Sequence, residues 1–333
     1  MPAIMTHDFF GKEIYDDLYE TIGGTRDECE AFLLGNQGPD PLFYSVVSPR
    51  LSKFNRLGST LHNEKPSELL YALKCSFSIL DERELPIGRA YALGFVCHYT
   101  LDSSMHPLVF FNEYQVCDAG VEDLSRKNGN EVHGVIESEF DELVLFAKRE
   151  ETVATYVPTE NILHATDYVL QVVSKMYAYL ATTVYGLFIP PTMFATAVKD
   201  FRAAQNLFHS PTGKKRTIIS NLEERFRRYS FFRSMSHRAI ELTESKFANH
   251  EHQVWENPFT GDKSTDSFWD IYHHALTVAK DNIATFLDPA FDLDAATELT
   301  GNLDFSGEPT VATLVVEEVI EADPPASSSS ADN

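Results

Sequence analysis

Residues 94–102 read GFVCHYTLD, and this stretch decides which fold the chain is expected to adopt. The run around it is mostly apolar, yet it contains His98 and is closed by Asp102. Such a run predicts a buried helix, in which side chains four positions apart lie on one face with Cβ atoms about 5–6 Å apart. A buried carboxylate without a partner is costly, so a bound cation would explain why the helix carries this pair.

The first 140 residues hold further side chains that suit the same kind of cation. His133 and Glu137 repeat the spacing of four, although a surface ion pair or a core histidine would explain a single pair equally well. Four more residues bring the set to eight: His7, Asp40, His62 and His106. Zn²⁺ binds imidazole nitrogens and carboxylate oxygens well, so the set predicts a zinc site. The seven histidines from His164 onward lack such a pattern, except for the close pairs His250/His252 and His273/His274, and are expected at the surface or in the core.

Apolar residues recur at helical spacing along most of the chain, and long alternating runs are missing, which predicts an all-α protein. Thr25 and Thr159 are expected to cap helices, the former in a capping box with Glu28. Three prolines are expected in the first turn of a helix: Pro66, Pro86 and Pro107. The predicted helices cover residues 8–20, 26–34, 66–79, 86–102, 107–115, 130–149, 160–187, 192–208, 217–246 and 266–286.

The helical pattern fades near residue 290. We therefore expect a single multi-helix domain over residues 1–290 and an acidic irregular extension over residues 291–322. Residues 311–320 are apolar enough for either a docked strand or a short helix. Residues 323–333 are rich in proline and serine and are expected to form a disordered tail.

Composition limits the possible partners. The net charge of −23 disfavours binding of nucleic acid or anionic lipid through the general surface. Four cysteines without a CxxC pair predict reduced, mostly buried thiols, and the N-terminus shows no signal-peptide pattern, so a cytoplasmic location is expected. Residues 176–198 are uncharged, but Pro190 and Pro191 interrupt them, so two buried helices are expected rather than a transmembrane segment.

Taken together, these motifs resemble the zinc-dependent phospholipase C family. The resemblance follows the order and rough spacing of five features. These are His7, the stretch AFLLGNQGPD that ends at Asp40, the stretch GFVCHYTLD at residues 94–102, the pair His106-Pro107, and HGVIE at residues 133–137. It covers residues 1–140, and the rest matches only as further helices. It implies an all-α fold of the type shared with the single-strand-specific zinc nucleases, with two or three zinc ions in a cleft.

The resemblance also implies which residues bind each ion. Asp40, His62, His98 and Asp102 would bind one zinc ion. A second would be held by His106, His133 and Glu137, and a third by His7 with Asp102 as a bridge. In secreted members the N-terminal residue also binds the third ion, whereas this sequence begins MPA.

The implied reaction is hydrolysis of a phosphodiester. Zinc would activate a water molecule, with Asp40 as ligand and as the base that orients or deprotonates it. The expected substrate is a phospholipid, cut on the glycerol side of the phosphate, or a soluble phosphodiester, and contact with a membrane surface would be transient. Two alternatives stay open: a zinc nuclease or other phosphodiesterase or phosphatase, and a non-catalytic helical protein with a structural metal site.

Residues 214–238 carry eight basic and two acidic residues interleaved with aromatics. A solvated helix face with aromatics turned to the core is the favoured interpretation, with a lipid-facing or phosphate-attracting surface as the alternative. Four aromatic residues near the predicted ligands are expected mainly to pack in the core, although they could also line a head-group pocket: Phe43, Tyr44, Phe54 and Tyr99.

Overall fold

A computed structural model describes residues 3–47, 54, 56–225 and 228–310. Nearly all of the regular secondary structure in this part of the chain is helical, as predicted. Its α-helices are α1 Ile4–Ile22, α2 Arg26–Gly35, α3 Leu57–Asn63, α4 Pro66–Cys75, α5 Leu85–Cys117, α6 Gly129–Arg149, α7 Pro158–Asn161, α8 Asp167–Tyr185, α9 Met193–Phe208, α10 Lys214–Glu223, α11 Phe231–Ser234, α12 Phe268–Leu287 and α13 Leu293–Thr300. Short 3-10 helices cover Asp40–Val47, Ser76–Ile79 and Arg126–Asn128. A small antiparallel hairpin pairs β1, Trp255–Glu256, with β2, Lys263–Ser264.

Helix α5 is the centre of the fold. It is 33 residues long, and residues 90–102 are buried without interruption. It packs against α2, α6 and α12, which together surround its apolar middle. A helix covered on all sides needs no polar face, which is why its sequence reads as one long apolar run. Any polar side chain in this stretch must therefore find its partner inside the protein.

Pro107 does not begin a helix, contrary to the prediction. The expected helices at 86–102 and 107–115 are one helix, and Pro107 lies inside it. Proline lacks the N–H that would bond the carbonyl four residues earlier, here Ser103, so this carbonyl loses its helical partner. Packing on both sides holds α5 together across this point. The other two prolines lie in the first turns of α4 and α5, as predicted.

One of the two predicted caps is confirmed. Thr25 caps α2 in a capping box with Glu28. Thr159 lies inside the short α7 instead, where its hydroxyl donates to Asn206, and the cap of α8 is Thr166. Thr166 accepts a hydrogen bond from the N–H of Val169, the same chemistry seven residues later.

The uncharged stretch at residues 176–198 forms two helices, as predicted. Helix α8 ends at Tyr185 and α9 begins at Met193, with Pro190 and Pro191 between them. Within the described residues, no helix combines the length and apolar character that crossing a membrane requires.

The long helix predicted at residues 217–246 does not form. Helix α10 ends at Glu223 and only the short α11 follows. Tertiary hydrogen bonds replace helical ones: Ser236 donates to the carbonyl of Phe208, and the N–H of Arg238 donates to Glu142. Short polar side chains and buried carboxylates compete here with the helical ladder.

The segment predicted to be irregular after residue 290 is partly ordered. It forms α13, and residues 300–309 then return to the core, where Leu303 and Pro309 form an isolated β-bridge. Phe305 is 1% exposed. The residues from 311 onward, which include the predicted strand or helix and the predicted tail, lie outside the described residues. The four cysteines are free; Cys97 and Cys117 are buried, and the other two are half-buried.

Candidate metal centre

Two helices supply most of the predicted ligands. His98, Asp102 and His106 follow one another at four-residue intervals on α5, so they share one face because the helix continues through Pro107. His133 and Glu137 lie one turn apart on α6, which packs directly against α5. Because α5 continues through Pro107, His106 lies on the same face of the helix as His98 and Asp102.

The remaining ligands come from elements that α5 and α6 hold in place. His7 lies in the second turn of α1, and the carboxylate of Asp141 on α6 anchors the start of that helix. Asp141 accepts hydrogen bonds from the N–H groups of Met5 (3.1 Å) and Thr6 (2.7 Å) and from the hydroxyl of Thr6 (2.7 Å). These bonds satisfy donors that the first turn of a helix leaves free.

Asp40 follows a turn that only glycine can make. Gly38 has a φ of +48°, and a Cβ there would lie 2.1 Å from the ring of His98. Gly38 therefore lets the turn approach the imidazole and present Asp40 at the start of the 3-10 helix. His62, on α3, reaches the same place from the other side.

The eight side chains converge in three groups of potential ligand atoms, each spanning at most 4.8 Å. Asp40, His62 and His98 form the first group. The Nε2 atoms of His62 and His98 lie 3.0 and 3.9 Å from Oδ1 of Asp40.

The second group consists of His7, His98 and Asp102. The two carboxylate oxygens of Asp102 face different rings: Oδ1 lies 3.0 Å from Nε2 of His7, and Oδ2 lies 3.2 Å from Nε2 of His98. This arrangement suits a carboxylate that bridges two cations.

The third group consists of His106, His133 and Glu137. Oδ1 of Asp102 lies 3.8 Å from Nδ1 of His106, which connects this group to the second. Oε1 of Glu137 lies 3.5 Å from Nε2 of His106 and 3.4 Å from Nε2 of His133.

Four of the five histidines turn Nδ1 toward an acceptor and Nε2 toward the groups. Nδ1 of His62 lies 2.7 Å from the carbonyl of Gly58, and Nδ1 of His98 lies 3.1 Å from that of Asn36. Because these acceptors carry no hydrogen, each Nδ1 donates the proton. The other two contacts are Nδ1 of His106 to the carbonyl of Phe305, 2.8 Å, and Nδ1 of His133 to Oε2 of Glu113, 3.0 Å. Histidines that bind metals through Nε2 are held in this way.

The environment of His98 tests whether the groups fit a cation. Its Nε2 is buried and has no hydrogen-bond partner, although Oδ2 of Asp102 is 3.2 Å away. Burial lowers the pKa of His98 to about 4, so its ring is neutral at pH 7 and Nε2 presents a lone pair. A lone pair facing a carboxylate in a buried site is stabilised by a cation between them, so the residues fit zinc.

The carboxylates are ionised. Burial alone would raise the pKa of Asp102, but three neighbouring imidazoles, first that of His98, hold it well below its usual range. The pKa of Glu137 is likewise lowered, against burial, with His133 and His106 beside it. Ionised carboxylates are the form that binds a divalent cation.

The pKa of His106 is shifted upward, in the opposite direction to that of His98. Burial favours its neutral form, but the carboxylates of Asp102 and Glu137 raise its pKa to about 9. A proton therefore occupies this imidazole at neutral pH unless a metal displaces it.

The centre is enclosed on most sides. A cavity of about 20 Å³, room for one water-sized particle, lies among Ala3, His7, Asp102, His106 and Glu137. His106 and His133 are the most exposed ligands, with 13% and 17% of their side-chain surface accessible. The centre therefore opens on their side.

Aromatic rings surround this opening. The ring of Phe110 lies 5.0 Å from that of His133 and 5.2 Å from that of Phe259, which sits in the turn of the β-hairpin. Three of the four aromatic residues considered from the sequence pack in or against the core, as expected: Tyr44 stacks on Phe201 at 4.1 Å, Tyr99 is buried and Phe54 is partly buried. Phe43 does touch the centre, with its ring 4.8 Å from that of His62.

The sequence did not reveal two residues that contact the ligands, Glu113 and Phe305. Glu113 is seven residues after His106 on α5 and so lies on the same face of a continuous helix, a signal that the expected break at Pro107 hid. Phe305 acts through its main-chain carbonyl, for which a sequence carries no signal. Among the later histidines, His237 is buried against Asp141, as expected for a core residue.

The fold and the centre define an all-helical protein with a cluster of histidines and carboxylates fit for zinc. A family model described as zinc dependent phospholipase C matches residues 6–187, more than half of the chain and a range that contains all eight residues. The chain therefore belongs to the zinc-dependent phospholipase C family, a family of hydrolases. The searches of curated proteins and of solved structures found no match.

Proposed function

We propose that the protein is a zinc-dependent phosphodiester hydrolase that cleaves the glycerol-side P–O bond of a phospholipid. The observation that carries this proposal is the convergence of eight buried or half-buried ligand side chains in three linked groups. We assign one zinc ion to Asp40, His62, His98 and Asp102, and a second to His106, His133 and Glu137. His7 and Asp102 would hold a third.

Clustered zinc ions polarise phosphoryl oxygens and lower the pKa of water toward about 7. The chain's own residues would supply orientation and proton transfer. Burial raises the pKa of Asp40, but His62 and His98 outweigh it and lower the pKa, so the carboxylate is ionised and can accept a proton. The packed wall around the first group excludes bulk water, which strengthens the pull of each charge.

The half-exposed side of the centre gives the direction of substrate approach. His106 and His133 border it, and Phe110 and Phe259 provide apolar surface next to them. A phospholipid entering there would place its phosphate at the third group and its apolar part on the aromatic rings.

We further propose that α10 is the transient contact with a membrane surface. The exposed face of this helix carries Ile218 and Leu222, which are 69% and 55% exposed, flanked by Lys214 and Arg225. Exposed aliphatic side chains between cations are typical of helices that lie on an anionic lipid surface. A cytoplasmic location and a main domain ending near residue 290 stay predictions.

Elemental analysis and two parallel assays test the proposal. The purified protein should contain two or three zinc ions per chain and convert phosphatidylcholine to diacylglycerol and phosphocholine. His98→Ala and Asp102→Ala should each lower that activity at least about 10³-fold, because His98 belongs to two of the groups and the carboxylate of Asp102 faces both His7 and His98. His274→Ala, an exposed histidine on α12, is the matched control and should remain active.

Two outcomes would overturn the assignment. Cleavage of single-stranded DNA in place of phosphatidylcholine would identify a nuclease. One zinc ion per chain without hydrolysis of either substrate would identify a structural metal site.

A further inference from the structure

Residues 300–309, outside the range that matches the family, pack directly against the ligand groups. The N–H of Phe305 donates to the carbonyl of His62 at 3.0 Å, and the carbonyl of Phe305 accepts from Nδ1 of His106 at 2.8 Å. We name residues 300–309 the closing segment. Through Phe305, this segment contacts a predicted ligand of the first group, His62, and one of the third group, His106.

The ring of Phe305 fills the space behind the first group. Its centroid lies 4.9 Å from that of His62, 5.8 Å from that of His98 and 5.1 Å from that of Tyr99. The ring is buried, so it forms a wall of the centre that keeps these imidazoles in position.

The rest of the closing segment is fixed to α5 and α4. The hydroxyl of Tyr99 donates to the carbonyls of Thr300 (3.1 Å) and Leu303 (2.8 Å), and the hydroxyls of Ser67 and Thr300 lie 2.8 Å apart. At its far end Gly307, with a φ of +73°, lies against α5 where Pro107 interrupts the helical ladder. A Cβ at Gly307 would come within 2.7 Å of the carbonyl oxygen of Ser103.

The carbonyl of Phe305 decides which nitrogen of His106 faces which group. Nδ1 of His106 is 3.8 Å from Oδ1 of Asp102, and Nε2 is 3.5 Å from Oε1 of Glu137. Because the carbonyl accepts a hydrogen bond from Nδ1, the proton of the neutral ring stays on Nδ1 and Nε2 keeps its lone pair for the third group. Without this bond the ring could turn, and Nε2 would no longer face Glu137 in the third group.

We propose that the closing segment is a positioning element of the metal centre, in which Phe305 fixes the ring of His106 for zinc at the third group. The inference rests on the proposed zinc centre but not on the reaction. It assigns a role in metal binding to a region that the family match leaves out.

Zinc retention and the absorption spectrum of the cobalt-substituted protein test this role. Phe305→Ala and Gly307→Val are the test variants; the second keeps Phe305 but adds a side chain where Ser103 leaves no room. Phe305→Ala removes the ring behind His62 and His98 and should weaken zinc binding at the first group about 10–100-fold. Gly307→Val displaces the main chain that carries the carbonyl of Phe305 and should weaken zinc binding at the third group to a similar extent. Both variants should show an altered cobalt spectrum. Phe305→Leu, which refills the wall, should restore most of the retention.

Two controls separate positioning from general damage. The variant Glu308→Ala, exposed in the same segment, should keep the metal content and spectrum of the full chain. Circular dichroism should show unchanged helix content in every variant that is scored. The proposal is overturned if folded Phe305→Ala and Gly307→Val retain zinc against a chelator as the full chain does, with the same cobalt spectrum.

The same experiment keeps the two proposals apart. A zinc-loaded full chain that hydrolyses no phosphodiester, together with zinc loss in the variants, would remove the proposed reaction and leave the closing segment's role intact. Full activity in the full chain with unchanged zinc in the variants would do the reverse.

Discussion

Glu113 is a side chain outside the proposed ligand set that contacts one of its members, His133. Its carboxylate accepts a hydrogen bond from Nδ1 of His133 at 3.0 Å, and the residue is 7% exposed. Carboxylates in this position orient the ring and raise its basicity. His133 therefore depends on Glu113 for both its tautomer and its direction.

We predict that Glu113→Gln weakens zinc binding at the third group about 10–100-fold, because an amide holds the imidazole less firmly than a carboxylate does. Competition with a chelator measures the change. Glu122→Gln, in the exposed loop after α5, is the matched control and should leave zinc binding unchanged. Equal affinities in the two variants would contradict this role of Glu113.

The pKa of His106 predicts how zinc uptake depends on pH. Without metal, Asp102 and Glu137 raise this pKa to about 9, so below that pH both nitrogens of the ring carry a proton. Zinc must displace the proton, so affinity should fall about tenfold for each pH unit between 8 and 6. His133 has a raised pKa too and adds to the same trend. Zinc titrations at several pH values measure the slope, and a flat profile would contradict the prediction.

The raised pKa of His106 has the opposite effect on the stability of the metal-free protein, which should fall as the pH rises. A histidine whose pKa is higher in the folded state stabilises that state fully below its unfolded pKa, about 6.5, and loses this contribution as the pH rises toward 9. The metal-free chain should therefore become less stable over this window, while zinc binding becomes stronger. Urea unfolding of the metal-free protein across the window checks the sign.

At the scale of elements, the hairpin brings a side chain to the open side of the centre. Phe259 lies between β1 and β2, and its ring contacts Phe110, which covers His133. We predict that Phe259→Ala raises KM about tenfold and leaves the zinc content unchanged, because the ring contacts the approach and not the ligands. Val254→Ala, exposed just before β1, is the control, and loss of zinc in Phe259→Ala would refute the assignment.

A comparison of the observed helices with the predicted ones shows which parts of the structure can be predicted from the sequence. The periodicity predicted most helices, and the spacing of four predicted which side chains of α5 and α6 share a face. The prediction that a helix begins at Pro107 was wrong. The tendency of proline to interrupt a helix applies to an isolated helix, whereas packing against its neighbours holds α5 together. The carbonyls of Asn36, Gly58 and Phe305 could not be predicted, since every residue has one and only the tertiary fold selects it.

At the scale of the whole molecule, the net charge of −23 sets the conditions under which a lipid surface can be bound. An anionic surface repels most of such a protein, so the α10 face must act within a short distance of the lipid, where salt screens the remaining charge. The chain should therefore bind weakly and in one orientation.

We predict that the protein sediments with vesicles containing phosphatidylserine and that the double variant Ile218→Asp, Leu222→Asp binds at least about tenfold more weakly. Ile79→Asp, an exposed aliphatic residue elsewhere, should behave like the unchanged chain. Equal binding by all three proteins, or none by the unchanged chain, would refute the assignment of α10.

The way in which Asp141 secures α1 has a practical consequence. Residues 4–6 are buried, and Ala3 lines the cavity beside His7 and Asp102. Any polypeptide fused upstream must leave the fold next to the zinc ligands. An affinity tag at that end is therefore expected to disturb metal loading, and recombinant material for every assay above should carry its tag at the carboxyl terminus.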